Sequence, residues 1–245
     1  MKRIRNPSKI GRVERFYSNQ LRQVANAIGQ IISSSVTDDP ASALSSIPLL
    51  ESYSSVIEEW ALMTAGQMLS EARKEEEKTW FRVARDLGES ISKEIRNAPT
   101  GEIYHQLLKE QVDLIQSLPV QAAERVHELA TESLTTGHRA SEIITDIRQL
   151  GDVTESRAMT IARTETHRAS TTLLQARAIY IGSPGYIWQT VGDSDVRKDH
   201  DDLNGQFIEW NNPPIADKRT GARAHAGCIY NCRCFPLPQL PKRYF

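Results

Sequence analysis

Apolar residues recur at helical spacing through most of the chain. Between positions 21 and 180 they repeat every three or four residues, which is the period of an amphipathic helix. One such series runs Tyr53, Ile57, Trp60, Thr64 and Met68, and another runs Phe81, Ala84, Leu87, Ile91 and Ile95. Pro or Gly interrupts the pattern at 38–40, 97–101 and 117–119, where we expect helices to stop or restart. The pattern predicts about six helices.

The pattern changes after Tyr180. Gly182-Ser183-Pro184-Gly185 interrupts the chain, and residues 186–191 then alternate large and polar side chains as a strand does. Turn-forming residues dominate the remainder, with short strands expected at 206–209 and 233–237. The sequence therefore predicts an α+β fold, in which a mostly helical N-terminal region is followed by a long helix and a small strand and loop module with a Cys/His-rich turn.

The long helix is predicted to begin near Gly151, because Asp152 and Glu155 have the spacing of a capping box. Its apolar stripe is predicted to contain Ala158, Ala162, Ala169, Leu173, Ala176 and Tyr180. Glu165 interrupts this stripe, and a buried carboxylate is costly unless it is paired. Arg168 is a local candidate partner, whereas Arg197 and His200 are distant ones. The alternative is a half-buried stripe from which Glu165 reaches solvent.

Residues 195–205 combine acidic and basic side chains directly after the predicted strand. Asp195 and His200 could form an acid–base pair there, or the charges could form a small network of ion pairs. A mixed-charge surface turn is the alternative interpretation.

All three cysteines lie in one ten-residue segment, 225–234, which begins with a histidine. The spacing His225-x2-Cys228-x3-Cys232-x-Cys234 offers four ligands of the kind that a structural zinc ion uses. Because Cys-x-Cys is a tight spacing, His200 is a candidate substitute ligand. Two alternatives stay open: reduced cysteines buried in a tight turn, and a reactive thiol whose pKa Arg233 lowers. A metal would give the loop-rich module rigidity.

Charge and composition exclude little. The formal net charge is -1, so any case for nucleic acid rests on local patches. The basic N-terminal residues are Lys2, Arg3, Arg5, Lys9, Arg12 and Arg15. Such a segment suits DNA phosphates or an acidic protein surface, but a solvated end is the alternative. Neither a secretory signal nor an apolar stretch of membrane-spanning length is present, so we expect a cytoplasmic protein with no membrane partner.

Four blocks of the sequence together resemble the phage head morphogenesis (Mu F-like) minor head proteins. They are residues 156–166, then Trp188, then Asp195-x-Arg197-x2-His200-x2-Leu203-x-Gly205, and finally His225-x2-Cys228 with Cys232-Arg233-Cys234-x-Pro236. Their order and spacing agree over roughly residues 120–236. The resemblance implies a head-morphogenesis domain at 119–236, after a helical region at 1–118 and before a proline-rich tail at 237–245.

The resemblance also implies a role. It indicates a minor structural protein of a tailed bacteriophage that is present in several copies at the portal vertex and acts in head assembly, DNA packaging or DNA delivery. The implied partners are the portal protein, the major capsid or scaffolding protein, and double-stranded DNA. The implied location is the virion, reached from the host cytoplasm.

The residues that the resemblance places in the family's core motifs form a predicted polar cluster of Arg163, Glu165, Trp188, Asp195, Arg197 and His200. We expect this cluster to join the long helix to the strand module through Arg163 or Arg197 and a carboxylate. We expect no catalytic residues and no enzyme activity. The alternatives are a metal-dependent hydrolase or nuclease that uses Asp195, His200 and His225, and a packaged DNA-binding protein. Three thiolates would argue against the hydrolase, because they form a closed ligand set.

Overall fold

The computed structural model describes residues 8–83, 97–135 and 140–241, with side chains at all of these except 83 and 133–135. The chain forms two compact units. Unit 1 contains Met1–Glu14, Gln67–Leu107 and Arg163–Phe245, and unit 2 contains Arg15–Gly66 and Leu108–Ala162. Several helices contribute residues to both units.

Helices account for most of the described residues before position 181. They are α1 (Ile10–Ser35), a 3-10 helix (Pro40–Ser46), α2 (Ile47–Val56), α3 (Glu58–Val83), α4 (Gly101–Thr135) and α5 (Ala140–Tyr180). The predicted break at 38–40 is confirmed, because Asp39 caps the 3-10 helix by accepting from the Ala41 amide at 3.0 Å. The predicted restart near 97–101 is confirmed by the start of α4 at Gly101.

The core of unit 2 consists of apolar side chains from these helices. Along α1 the buried positions are three or four residues apart. This spacing favours a helix and places the buried side chains on one face of it. The fully buried residues of the unit include Tyr17, Leu21, Ile28, Leu50, Ala61, Ile115, Val126 and Ile147. A side-chain hydrogen bond from Tyr17 Oη to Gln111 Oε1, at 3.0 Å, crosses this core.

Every strand among the described residues lies in unit 1. The strand β1 (Gly185–Gln189) lies between β2 (Phe207–Glu209) and β5 (Phe235–Pro238) in an antiparallel sheet, and β3 (Ile215–Asp217) pairs with β4 (Ala222–Arg223). A short helix, α6 (Lys198–Leu203), follows β1. Gly185 is required where β1 meets β2, because a Cβ there would lie 2.2 Å from the Ile208 carbonyl oxygen. The α+β prediction is confirmed, and all three predicted strands are present.

The predicted start of the long helix is wrong. α5 begins at Ala140, and Gly151 lies within it. This glycine is a close contact between helices: a Cβ on Gly151 would be 3.2 Å from the Cα of Gly29. The apolar stripe is also wrong at its C-terminal end, because Tyr180 is half exposed whereas Arg177 is fully buried. Arg177 is buried there because its charge is paired with two glutamates of α3.

The predicted break at 117–119 is also wrong, since Pro119 lies inside α4. Ile115, Leu118 and Ala122 are buried around it, so packing offsets the backbone hydrogen bond that proline removes. The Ser54 hydroxyl donates to the carbonyl of Gln116, in the turn before the proline, at 2.9 Å.

The first residues of the predicted proline-rich tail, Leu237 and Pro238, end the edge strand β5, where a missing N–H is tolerated. Within the described residues, no helix combines the length and the apolar character needed to cross a membrane.

Candidate functional site

His200, Cys232 and Cys234 come together inside unit 1. His200 lies on α6, and the two cysteines lie in the loop that leads into β5. All three are buried, and their ligand atoms lie within 4.8 Å of one another. The Nδ1 atom of His200 is 3.5 Å from Cys232 Sγ and 3.6 Å from Cys234 Sγ. This is the one group of three metal-ligand side chains within the part of the chain that the structure describes.

The tautomer of His200 follows from its other nitrogen. Nε2 lies 3.0 Å from the carbonyl oxygen of Ala216 in β3, and a carbonyl can only accept a hydrogen bond. Nε2 therefore carries the proton, and the lone pair of Nδ1 faces the two sulfurs. A backbone carbonyl that fixes a histidine in this way is typical of metal-binding histidines.

The pKa values of the two thiols shift in opposite directions because the thiols contact each other. Hydrogen bonding to Cys234 and to His200 lowers the pKa of Cys232, against the opposing effect of burial. The contact with Cys232, together with burial, raises the pKa of Cys234. One sulfur therefore carries negative charge more readily than a free thiol, which favours a bound cation.

The distances fit a tetrahedral zinc ion. Zn–S bonds of about 2.3 Å and Zn–N bonds of about 2.0–2.1 Å, at tetrahedral angles, separate nitrogen from sulfur by about 3.6 Å. The two nitrogen-to-sulfur separations, 3.5 and 3.6 Å, match this value. The residues present therefore fit a metal with two sulfur ligands and one nitrogen ligand.

The predicted ligand set was partly wrong, because His225 and Cys228 lie outside this group. Both ring nitrogens of His225 have other partners, Tyr186 Oη at 3.2 Å and Gln175 Nε2 at 3.3 Å. Burial raises the pKa of Cys228 to about 12, so this thiol stays protonated. The candidate metal site therefore contains two thiols and not three. The expectation that three thiolates would fill the ligand set, and so argue against a hydrolase, no longer applies.

The three ligand residues line one cleft of about 210 Å³. The other residues that line it are Arg163, Val191, Asp195, Val196, Arg197, Asn231 and Arg233. Four members of the predicted polar cluster, Arg163, Asp195, Arg197 and His200, thus meet at this cleft. Trp188 lies behind it, with its ring 5.5 Å from that of His200.

The pairing predicted within the cluster is different in the structure. Arg163 Nε donates to Glu14 Oε1 at 3.1 Å, and Glu14 also contacts His167. Asp195 pairs with Arg233 at 3.2 Å instead of with His200, whose ring nitrogens face Ala216 and the cysteines. The proposed acid–base pair of Asp195 and His200 is therefore wrong.

Arg197 has a different environment from the other two arginines of the cleft. Its NH2 donates to the Tyr230 carbonyl at 2.9 Å, and its guanidinium carbon lies 4.7 Å from the centre of the Tyr230 ring. Its NH1 is buried and has no hydrogen-bond partner among the described residues. Arg163 and Arg233, in contrast, each contact a carboxylate.

Glu165 has the local partner that was considered for it. The shortest contact with Arg168, from NH2 to Oε2, is 2.6 Å, and Glu165 is 12% exposed at its side chain. Glu165 and Arg168 are three residues apart on the helix, so their side chains lie on the same face and can pair. Arg163 and Arg197 bind other partners instead, Glu14 and the Tyr230 carbonyl.

The helix α5 contacts the cysteine loop through two threonines. Thr164 Oγ1 accepts from the Asn231 amide at 3.0 Å, and Thr171 Oγ1 donates to the Ala226 carbonyl at 2.8 Å. Gly227 adopts a φ of +83°, and a Cβ there would lie 3.0 Å from the Cys234 carbonyl. The loop therefore follows the helix closely at a point where only glycine fits.

Of the basic N-terminal residues, Lys9, Arg12 and Arg15 are exposed, and Lys2, Arg3 and Arg5 lie outside the described residues. Sequence reasoning missed the buried pair of Arg177 and Glu76 in unit 1, which the half-buried Glu77 joins. Arg177 Nε donates to Glu76 Oε2 at 2.8 Å, and its NH2 contacts Glu77 Oε1 at 2.6 Å. A run of Glu75, Glu76 and Glu77 in the printed sequence was the available signal.

One comparison with known proteins covers the segment that contains this site. Residues 124–236 match the family described as Phage Mu protein F like protein, and this segment contains His200, Cys232 and Cys234. An uncharacterised protein of Haemophilus influenzae is 33% identical over 154 residues, which are 62% of this chain. The match covers 33% of that protein, so the chain spans about a third of the length of the relative. No solved structure matches. The resemblance to a family of phage head morphogenesis proteins is confirmed for residues 124–236.

Proposed function

We propose, from the membership of residues 124–236 in the Phage Mu protein F like family, that the chain is a minor head protein of a tailed bacteriophage. It acts at the portal vertex, in head assembly, DNA packaging or DNA delivery, and is carried in the virion in several copies. The family match is the observation that carries this proposal.

Binding to the portal protein tests this function. The purified chain is mixed separately with immobilised portal, major capsid and scaffolding proteins of the same phage, with beads alone as the control. We expect a stable complex with the portal protein. A chain that binds none of the three contradicts the proposal, and a phage that yields normal infectious particles after deletion of the gene contradicts it independently.

The cysteine site has a structural role in this proposal. A zinc ion held by His200, Cys232 and Cys234 would supply rigidity to a module whose strands are two to five residues long. The matched tetrahedral distances support zinc. Metal analysis should find about one equivalent in the wild-type chain and in Cys228→Ala, and much less in Cys232→Ala. Equal zinc contents in the two variants would contradict this assignment.

A metal-dependent hydrolase is the second candidate, because two thiols and one histidine leave a fourth coordination position. The test is DNA cleavage by the zinc-loaded chain, with Asp195→Asn as the comparison. Cleavage that depends on zinc and on Asp195 would favour the enzyme, and its absence would favour the structural role.

Double-stranded DNA is a further proposed partner, through Lys9, Arg12 and Arg15, which are exposed, and the residues before them. The affinity for duplex DNA should then fall steeply with salt. Truncation of residues 1–15 should reduce that slope by about one for each lost phosphate contact.

A further inference from the structure

The cleft in unit 1 gives the proposed metal an open side. All three ligand residues line the same cleft, and its volume of about 210 Å³ is several times the space of one water molecule. A zinc ion with three protein ligands keeps a fourth position for water or for another oxygen ligand. A metal held here would have such a position, and the cleft lined by its ligand residues has room for a small molecule.

The charges around the cleft indicate what that molecule is. Arg163 and Arg233 already contact Glu14 and Asp193, respectively. Arg197 forms no ion pair with any described residue, and its NH1 has no acceptor. A guanidinium without a carboxylate, in the same cleft as the three residues that would hold a metal, is suited to an oxyanion, because the planar fork of arginine binds two oxygens at once.

We propose that this cleft binds a small oxyanion, a phosphate or a carboxylate, with one oxygen on the metal held by His200, Cys232 and Cys234 and another on Arg197. This inference rests on the zinc site of the proposed function and adds a ligand to it. The carbonyl of Tyr230 and its ring hold Arg197 in place for this contact, since they fix NH2 and the face of the guanidinium.

Cobalt in place of zinc makes this testable, because its absorption reports the ligands around the metal. The full chain is loaded with Co²⁺, freed of unbound metal, and titrated with inorganic phosphate and, separately, with acetate. We expect a saturable change in the visible spectrum. A response to phosphate alone assigns a phosphate ligand, and a response to acetate assigns a carboxylate.

The arginine is tested by substitution. Arg197→Gln should weaken anion binding by about tenfold to a hundredfold, because one charge-assisted hydrogen bond is lost. Arg219→Gln is the matched control, because Arg219 is exposed, lies outside the cleft and should leave the affinity unchanged. Equal affinities in wild type and Arg197→Gln would overturn the proposal.

The metal site and the anion site can be overturned separately. A wild-type chain that binds no Co²⁺ through its thiolates overturns the metal site, and the anion site with it. A wild-type chain that binds Co²⁺ but whose spectrum responds to neither anion overturns the anion site alone. The wild-type titration decides this even if Arg197→Gln does not fold.

Discussion

The two units are stabilised by different kinds of contact. In unit 2 the buried residues are mainly aliphatic side chains of helices, with a few neutral hydrogen bonds such as that of Tyr17 with Gln111. Unit 1 buries Arg177 with one of its two glutamate partners, Glu76, as well as a histidine with two cysteines. A long amphipathic helix can bury apolar area in proportion to its length, whereas a module of short strands cannot. Unit 1 therefore adds buried charge and metal-ligand side chains to an apolar core that contains Trp80, Tyr186, Trp188 and Trp210, whereas unit 2 depends mainly on apolar packing.

The buried arginine of unit 1 gives the largest expected effect. Arg177→Met leaves Glu76 buried without its cation, which should cost about 3–5 kcal/mol of the free energy of unfolding at pH 8. Arg125→Met in unit 2 is the control, because that ion pair with Glu128 is exposed and should contribute less than about 1 kcal/mol. Urea unfolding measures both variants. Similar losses would show that the two units do not differ in this way.

The second-largest effect is expected from removing zinc, which should destabilise unit 1 and leave unit 2 unchanged. If zinc binds as proposed, removing it should cost about 3–4 kcal/mol at free concentrations between about 100 and 1,000 times the dissociation constant. Hydrogen exchange with and without a chelator locates the loss. Faster exchange is expected in residues 198–238, within unit 1, and unchanged exchange in residues 108–132, within unit 2. Uniform acceleration in both units would contradict the division.

The pH dependence should also belong to unit 1. Burial raises the pKa of Glu76 from 4.5 to about 7. Between these two pH values the folded chain keeps a proton on Glu76 that the unfolded chain has lost. The resulting stability is complete below about pH 4.5 and is lost as the pH rises through about 7. Glu76→Gln should remove about 1–3 kcal/mol of this pH dependence.

The measurement is urea unfolding of wild type and Glu76→Gln at pH 5 and pH 8. Glu128→Gln, in the exposed pair of unit 2, is the control and should behave as wild type does. If Glu76→Gln and wild type lose equal stability between the two pH values, Glu76 is not the responsible group.

The same division explains what could be predicted from the sequence. Helical periodicity is local, so the helices and the first strand could be found from spacing alone. Gly151 could not be interpreted, because its role depends on Gly29, far away in the sequence. The third ligand could not be fixed either, since His200 is 32 residues from Cys232. The tight Cys232-x-Cys234 spacing did indicate that a distant ligand was needed.

The smallest expected effect comes from adding a methyl group between two packed helices of unit 2. Gly151→Ala adds a methyl group 3.2 Å from the Cα of Gly29, a backbone atom of a packed helix that cannot easily move. We expect a net loss of about 1 kcal/mol, after the gain in helix propensity is counted. Gly66→Ala, in a helix of the same unit, meets nothing closer than Leu108 Cδ1 at 4.0 Å and should gain about 0.5–1 kcal/mol. Both variants add the same methyl group within a helix, so they differ only in what that methyl group meets. Urea unfolding should therefore show a lower free energy of unfolding for Gly151→Ala and a higher one for Gly66→Ala. A higher free energy of unfolding for Gly151→Ala would mean that the helices move apart without cost.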